Sequence, residues 1–109
     1  MNTESILQQI SEVLEARKGA PAQDSYVASL YAGGLEKILA KISEEAGETV
    51  KAGADEDLAH LVHEIADLWF HCMVLLAYRD CGHEAVLAEL ARRFGVSGHV
   101  EKARRSRAQ

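Results

Sequence analysis

A chain of 109 residues has the length of one domain, and 48% hydrophobic residues with a single proline describe a molecule that buries a core rather than a disordered one. Its net charge of −5 argues against nucleic acid as a partner, because an acidic body repels a phosphate backbone. Asp67 and His71 interrupt the longest apolar run before it reaches the ~18 residues of a membrane span, so no membrane partner is expected. The polar start MNTESILQQI lacks the layout of a signal peptide, and the expected location is cytoplasmic.

Apolar residues never alternate over a strand-length window, while Ala, Leu and Glu are abundant. The expected fold is a single all-α domain over residues 1–109, a bundle of four to five helices. Ile6, Leu7, Ile10, Val13 and Leu14 recur at helical spacing and predict a first helix over 3–18, ended by Gly19-Ala20-Pro21. Asp24 or Ser25 caps the next helix, and Tyr26 either packs or meets a ligand. Gly33-Gly34 is a weak point where a kink is expected, with the helix resuming to about Gly53. Asp55-Glu56-Asp57 opens a third helix, where acids suit the positive end of the helix dipole, and it runs to about Asp80. After a turn at Cys81-Gly82 come a fourth helix over 83–94, stopped by Gly95, and a short last helix over 99–105.

Two acidic stretches stand out. On a helix turning about 100° per residue, Lys37, Lys41, Glu44, Glu45 and Glu48 share an arc of roughly 100°. Glu64, Asp67 and His71 share an arc of about 60° on the third helix. From Ile65 to Tyr78 that helix is apolar nearly all round, which predicts a buried helix and a desolvated Asp67 in need of a partner. Short connections make consecutive helices antiparallel neighbours, so Glu48 and Glu64 are expected to face one groove. Too few lysines are at hand to balance those acids. A hard divalent cation such as Mg²⁺ does so, against the plainer reading of two solvated acidic faces.

The remaining titratable groups are read more plainly. His71 is expected to be a hydrogen-bonded core histidine more often than a ligand. His60, His63, His83 and His99 show no ligand pattern. Cys72 is read as core packing, and no disulfide with Cys81 is expected in a reducing compartment. Residues 1–91 hold six basic and sixteen acidic side chains, whereas residues 92–109 hold six basic and one acidic. Beside a carboxylate cluster, that basic end reads as a phosphate clamp.

At these residues the sequence resembles a known family. Glu44-Glu45-x-x-Glu48 followed by Glu64-x-x-Asp67 is similar to the signature of the MazG-like all-α nucleoside triphosphate pyrophosphohydrolases. Ser25-Tyr26-Val27, Gly34-Leu35-x-Lys37-Ile38-x-x-Lys41, Asp67-Leu68-x-x-His71 and Ser97-Gly98-x-x-Glu101-Lys102 resemble the phosphoribosyl-ATP pyrophosphatases of histidine biosynthesis within it. The resemblance spans about residues 24–105, and the first helix falls outside it. It implies Mg²⁺-dependent hydrolysis of 1-(5-phosphoribosyl)-ATP to 1-(5-phosphoribosyl)-AMP and pyrophosphate. It implies Glu45, Glu48, Glu64 and Asp67 as metal ligands, and Glu44, Glu45 and Glu48 as the catalytic cluster, with Glu44 on a further ion or on the attacking water. Lys37, Lys41, Arg92, Arg93 and Lys102 become phosphate-binding candidates. The family forms an interlocked homodimer whose site is partly built between subunits. The competing readings are a house-cleaning (d)NTP pyrophosphatase with the same metal chemistry and a non-enzymatic helical dimerisation module.

Overall fold

The computed structural model describes residues 5–95. Four α-helices make up the described chain: α1 Ile6–Ala16, α2 Tyr26–Gly53, α3 Leu58–Tyr78 and α4 His83–Phe94, with a single 3₁₀ turn at Ala22–Asp24 before α2. No strand occurs among the described residues, and the all-α expectation holds. The expected helix over 99–105, with the Ser97-Gly98-x-x-Glu101-Lys102 ending, lies outside the described residues.

Local chemistry sets the helix ends. The Ser25 hydroxyl accepts from the Ala28 amide at 3.0 Å, so Ser25 rather than Asp24 caps α2. Asp57 accepts from the Ala59 and His60 amides and caps α3. The Asp57 amide donates to Asp55, and this bond is the main cause holding the Asp55 carboxyl below its ordinary value. Helices α2 and α3 are thus joined by a four-residue connection, Ala54 to Asp57, and pack as an antiparallel pair.

Gly34 bends α2 sharply. Its φ of 76° and ψ of −173° are non-helical and belong to a region open essentially to glycine alone. Contacts on both sides show what the bend achieves. The Tyr26 hydroxyl meets His71 at 2.7 Å, while the Thr49 hydroxyl lies 3.4 Å from the Glu64 carbonyl. A straight helix would hold Tyr26 and Thr49 about 35 Å apart, yet Glu64 and His71 are about 10 Å apart along α3. The first arm of α2, Tyr26 to Gly33, is therefore turned back along the second. Leu30 and Ile38, four residues either side of Gly34, are both fully buried.

The core joins both arms of α2 to α3 and α1. Leu14, Leu30, Ile38 and Val74 are almost wholly excluded from solvent, with Val27, Met73 and Ala77 beside them. Each large aliphatic side chain buried there contributes about 1.5–3 kcal/mol. Three polar tethers dock α1: the Tyr31 hydroxyl donates to the Leu14 carbonyl at 2.9 Å, Ser11 meets His83 Nδ1 at 2.8 Å, and Lys18 pairs with Asp80 at 2.9 Å. Helix α4 meets the bundle chiefly through α1.

Helix α3 differs from its expectation. An 18-residue stretch of it has a mean hydropathy of 1.3, long and apolar enough on those grounds to cross a membrane. It packs along α2 and, less extensively, against α1, and among the described residues part of its surface stays exposed. Trp69 is 62% exposed and Val62 65% exposed. Periodicity reports how much of a helix is apolar, not whether anything covers it. Cys72 likewise is exposed rather than packed in the core, although partial desolvation at an apolar groove raises its thiol pKa.

Candidate metal and phosphate site

The α2–α3 pairing decides which acids meet. The Thr49 hydroxyl donates to the Glu45 carbonyl at 2.8 Å and lies 3.4 Å from that of Glu64. The second arm of α2 therefore touches α3 at the level of Glu45, Thr49 and Glu64. Glu48 sits next to Thr49, and Asp67 is one turn beyond Glu64. Of the four carboxylates named from the sequence, Glu45 and Glu64 have their backbones at this crossing, and Glu64 and Asp67 bring ligand oxygens within 4.8 Å of each other.

Burial falls on a different acid from the one expected. The Asp67 side chain is 42% exposed, whereas those of Glu64 and Glu45 are 13% and 11% exposed. The desolvated carboxylates are thus Glu45 and Glu64, while Asp67 is the more open one. Lys41 reaches Glu45 at 3.7 Å and Glu44 at 3.2 Å. The Glu44 hydrogen bond is the largest cause raising the Lys41 pKa, and the Tyr26 phenol, Glu44 and Glu45 add to it. One ammonium is shared between two glutamates, and among the described residues no lysine or arginine pairs across the groove with Glu48, Glu64 or Asp67. Glu48 has Lys51 one turn along its own helix, at 3.6 Å.

Imidazoles meet the α3 acids instead. His60 Nε2 is 3.5 Å from Glu64, with its other nitrogen 3.6 Å from Asp55. His63 Nε2 is 3.4 Å from Asp67. The sequence reading passed over both. The signal that finds them is the i, i+4 spacing of His60 with Glu64 and of His63 with Asp67.

Behind the acids, His71 is 4% exposed and fully partnered. Its Nδ1 is 2.7 Å from the Asp67 carbonyl, which only accepts, so Nδ1 carries the hydrogen. In the neutral ring Nε2 then accepts from the Tyr26 hydroxyl at 2.7 Å. His71 is the hydrogen-bonded core histidine the sequence favoured.

The phosphate candidates are scattered. Lys37 donates to the Ser29 carbonyl at 3.3 Å, across the bend. Arg92 and Arg93 both engage Glu89 on α4, holding its carboxyl down at about 2. Among the described candidates, Lys41 is the one paired with the acids. Lys102 lies outside the described residues.

The largely buried Glu45 and Glu64 and the more open Glu48 and Asp67 supply oxygen donors of the kind that suits a hard divalent ion. The sequence pattern of the phosphoribosyl-ATP pyrophosphohydrolase family matches residues 7–94. The chain belongs to this family. A phosphoribosyl-ATP pyrophosphatase of Methylococcus capsulatus is 55% identical over 100 residues, 92% of this chain and 95% of the relative. One from Chromobacterium violaceum is 53% identical over 94% of this chain and 95% of its own length, and one from Nitrosomonas eutropha 47% identical over 99% and 92%. The family match begins at Leu7 and so takes in α1, which the motif resemblance had left outside.

Proposed function

We propose that this chain hydrolyses 1-(5-phosphoribosyl)-ATP to 1-(5-phosphoribosyl)-AMP and pyrophosphate, the second step of histidine biosynthesis, with Mg²⁺ and as a homodimer. The observation that supports the reading is the Thr49 hydroxyl, within reach of both the Glu45 and the Glu64 backbone carbonyls, in a chain of this family.

In this reading Glu45, Glu48, Glu64 and Asp67 hold the metal, and Glu44 orients the attacking water. A magnesium ion bound there supplies positive charge to the polyphosphate and lowers the pKa of a bound water. The protein contributes position. Thr49 fixes the spacing of the two helices, and His71 locks Tyr26 against α3 beside Lys41. Lys41 offsets charge on Glu44 and Glu45 and stands ready for a phosphate oxygen. Lys37, Arg92, Arg93 and Lys102 remain rim candidates.

An apolar surface supports the dimer. Trp69, Cys72, Leu76, Val86, Leu87 and Leu90 line a groove between α3 and α4 of about 320 Å³. Leu58, Val62 and Phe94 are each more than half exposed. The described residues leave much of this surface exposed, and a second copy would cover it.

Pyrophosphate release from phosphoribosyl-ATP, measured beside ATP and dCTP with Mg²⁺, tests the function. Turnover confined to phosphoribosyl-ATP is expected. Preference for dCTP points to the house-cleaning activity, and no release from any of the three rejects the enzyme.

A further inference from the structure

His63, Glu64 and Asp67 each offer a ligand atom, and these atoms lie within 4.8 Å of one another. An octahedral ion with bonds of about 2.1–2.2 Å needs neighbouring donors about 3 Å apart and opposite ones about 4.3 Å apart. The three ligand atoms lie on one face of α3 at separations close to those an octahedral ion needs. His63 already points Nε2 at Asp67, 3.4 Å away. It lies on the open side of the crossing and is 68% exposed, so it can turn. His60 is placed differently, held between Asp55 and Glu64.

We propose that His63 is a nitrogen donor to the metal held by Glu64 and Asp67, so that this centre takes a borderline transition ion of the Mn²⁺ type more tightly than Mg²⁺. The inference rests on the reading that Glu64 and Asp67 are metal ligands. The chemistry follows from donor type. Mg²⁺ is bound through oxygen and gains little from an imidazole. Transition ions accept imidazole readily, and a site of two carboxylates and one imidazole with water in the remaining positions discriminates in their favour. A neutral imidazole also lets the divalent ion keep its charge toward an anionic substrate.

The test uses the full chain with Mn²⁺ as probe. Pulsed electron paramagnetic resonance of the bound ion is expected to show nitrogen coupling, kept in His60→Gln and lost in His63→Gln. In competition titrations, His63→Gln is expected to weaken Mn²⁺ by about tenfold and Mg²⁺ by less than about twofold. No nitrogen coupling in the unmodified chain, coupling that survives in His63→Gln, or an equal loss for both ions overturns the proposal. Turnover of phosphoribosyl-ATP by the unmodified chain with Mg²⁺ is the separate check. If it persists while nitrogen coupling is absent, only the His63 assignment falls. If coupling is lost in His63→Gln but no substrate is cleaved, the metal centre stands and the proposed reaction falls.

Discussion

Tyr26 and His71 stand on different helices, 45 residues apart, and their side chains meet at 2.7 Å. The bond exists because Gly34 turns the first arm of α2 back, and because the Asp67 carbonyl leaves His71 Nε2 as the acceptor. Tyr26→Phe keeps the ring and strands a buried acceptor. The expected loss of stability is about 1–3 kcal/mol, read as a lower urea midpoint at unchanged slope. A midpoint equal to that of the unmodified chain would show the bond to be dispensable.

Gly34 carries the bend. A Cβ there meets nothing closer than the Tyr78 hydroxyl at 4.0 Å, so the obstacle to a side chain is backbone conformation and not space. Gly34→Ala is expected to cost about 1–3 kcal/mol. Gly47 lies within the straight arm of α2 with open space around it, and Gly47→Ala is expected to be neutral or mildly stabilising. Equal melting temperatures for the two variants would remove the special role of Gly34.

The proposed metal site predicts carboxylates that repel one another until a cation joins them. Glu48→Gln and Asp67→Asn are each expected to reduce turnover on the order of 100-fold or more, with circular dichroism unchanged. In EDTA both are expected to melt slightly above the unmodified chain, by less than about 1 kcal/mol for such exposed groups. Lower melting points in EDTA would show that these acids stabilise the metal-free fold instead.

Lys18 docks α1 through Asp80 and Glu15. The Asp80 hydrogen bond is the first cause raising its pKa above 10.5, and desolvation opposes it. A raised lysine pKa gives stability that is complete below the unfolded value of about 10.4 and is lost as pH climbs through the folded value. Lys18→Met is therefore expected to lower stability modestly at pH 8, by less than about 1 kcal/mol. The gap between the two chains should close as the pH climbs through the raised folded value of Lys18. Thermal melts of both at several alkaline pH values decide it, and a constant gap refutes the assignment.

Trp69 marks the apolar surface of α3. If two copies cover it, Trp69→Asp places a charge in the contact, and sedimentation should then give single chains where the unmodified protein gives pairs. Pairs that persist with Trp69→Asp would put the dimer contact elsewhere.

Much of this molecule was legible in its residues because helical periodicity and end chemistry are local. Ile6, Ile10 and Leu14 drew α1, Ser25 and Asp57 marked the caps, and Gly34 announced a break. The acids of α2 and α3 could be paired because a four-residue connection leaves the two helices no option but to lie side by side. Periodicity measures which side of a rod is apolar, but it carries no record of what covers that side. That is why Asp67 was expected in the dry interior and Glu45 occupies it, and why α3 seemed buried while Trp69 faces water.

The sequence by itself determined the helices, their ends and the two acidic faces, since each depends on neighbours within one or two turns. Tertiary structure alone decided how far α2 folds at Gly34, and hence that Tyr26 returns to His71. It also decided that Glu45, not Asp67, is the more buried carboxylate. The reason is that a glycine's φ and ψ are set by the packing on either side of it, which no local pattern encodes.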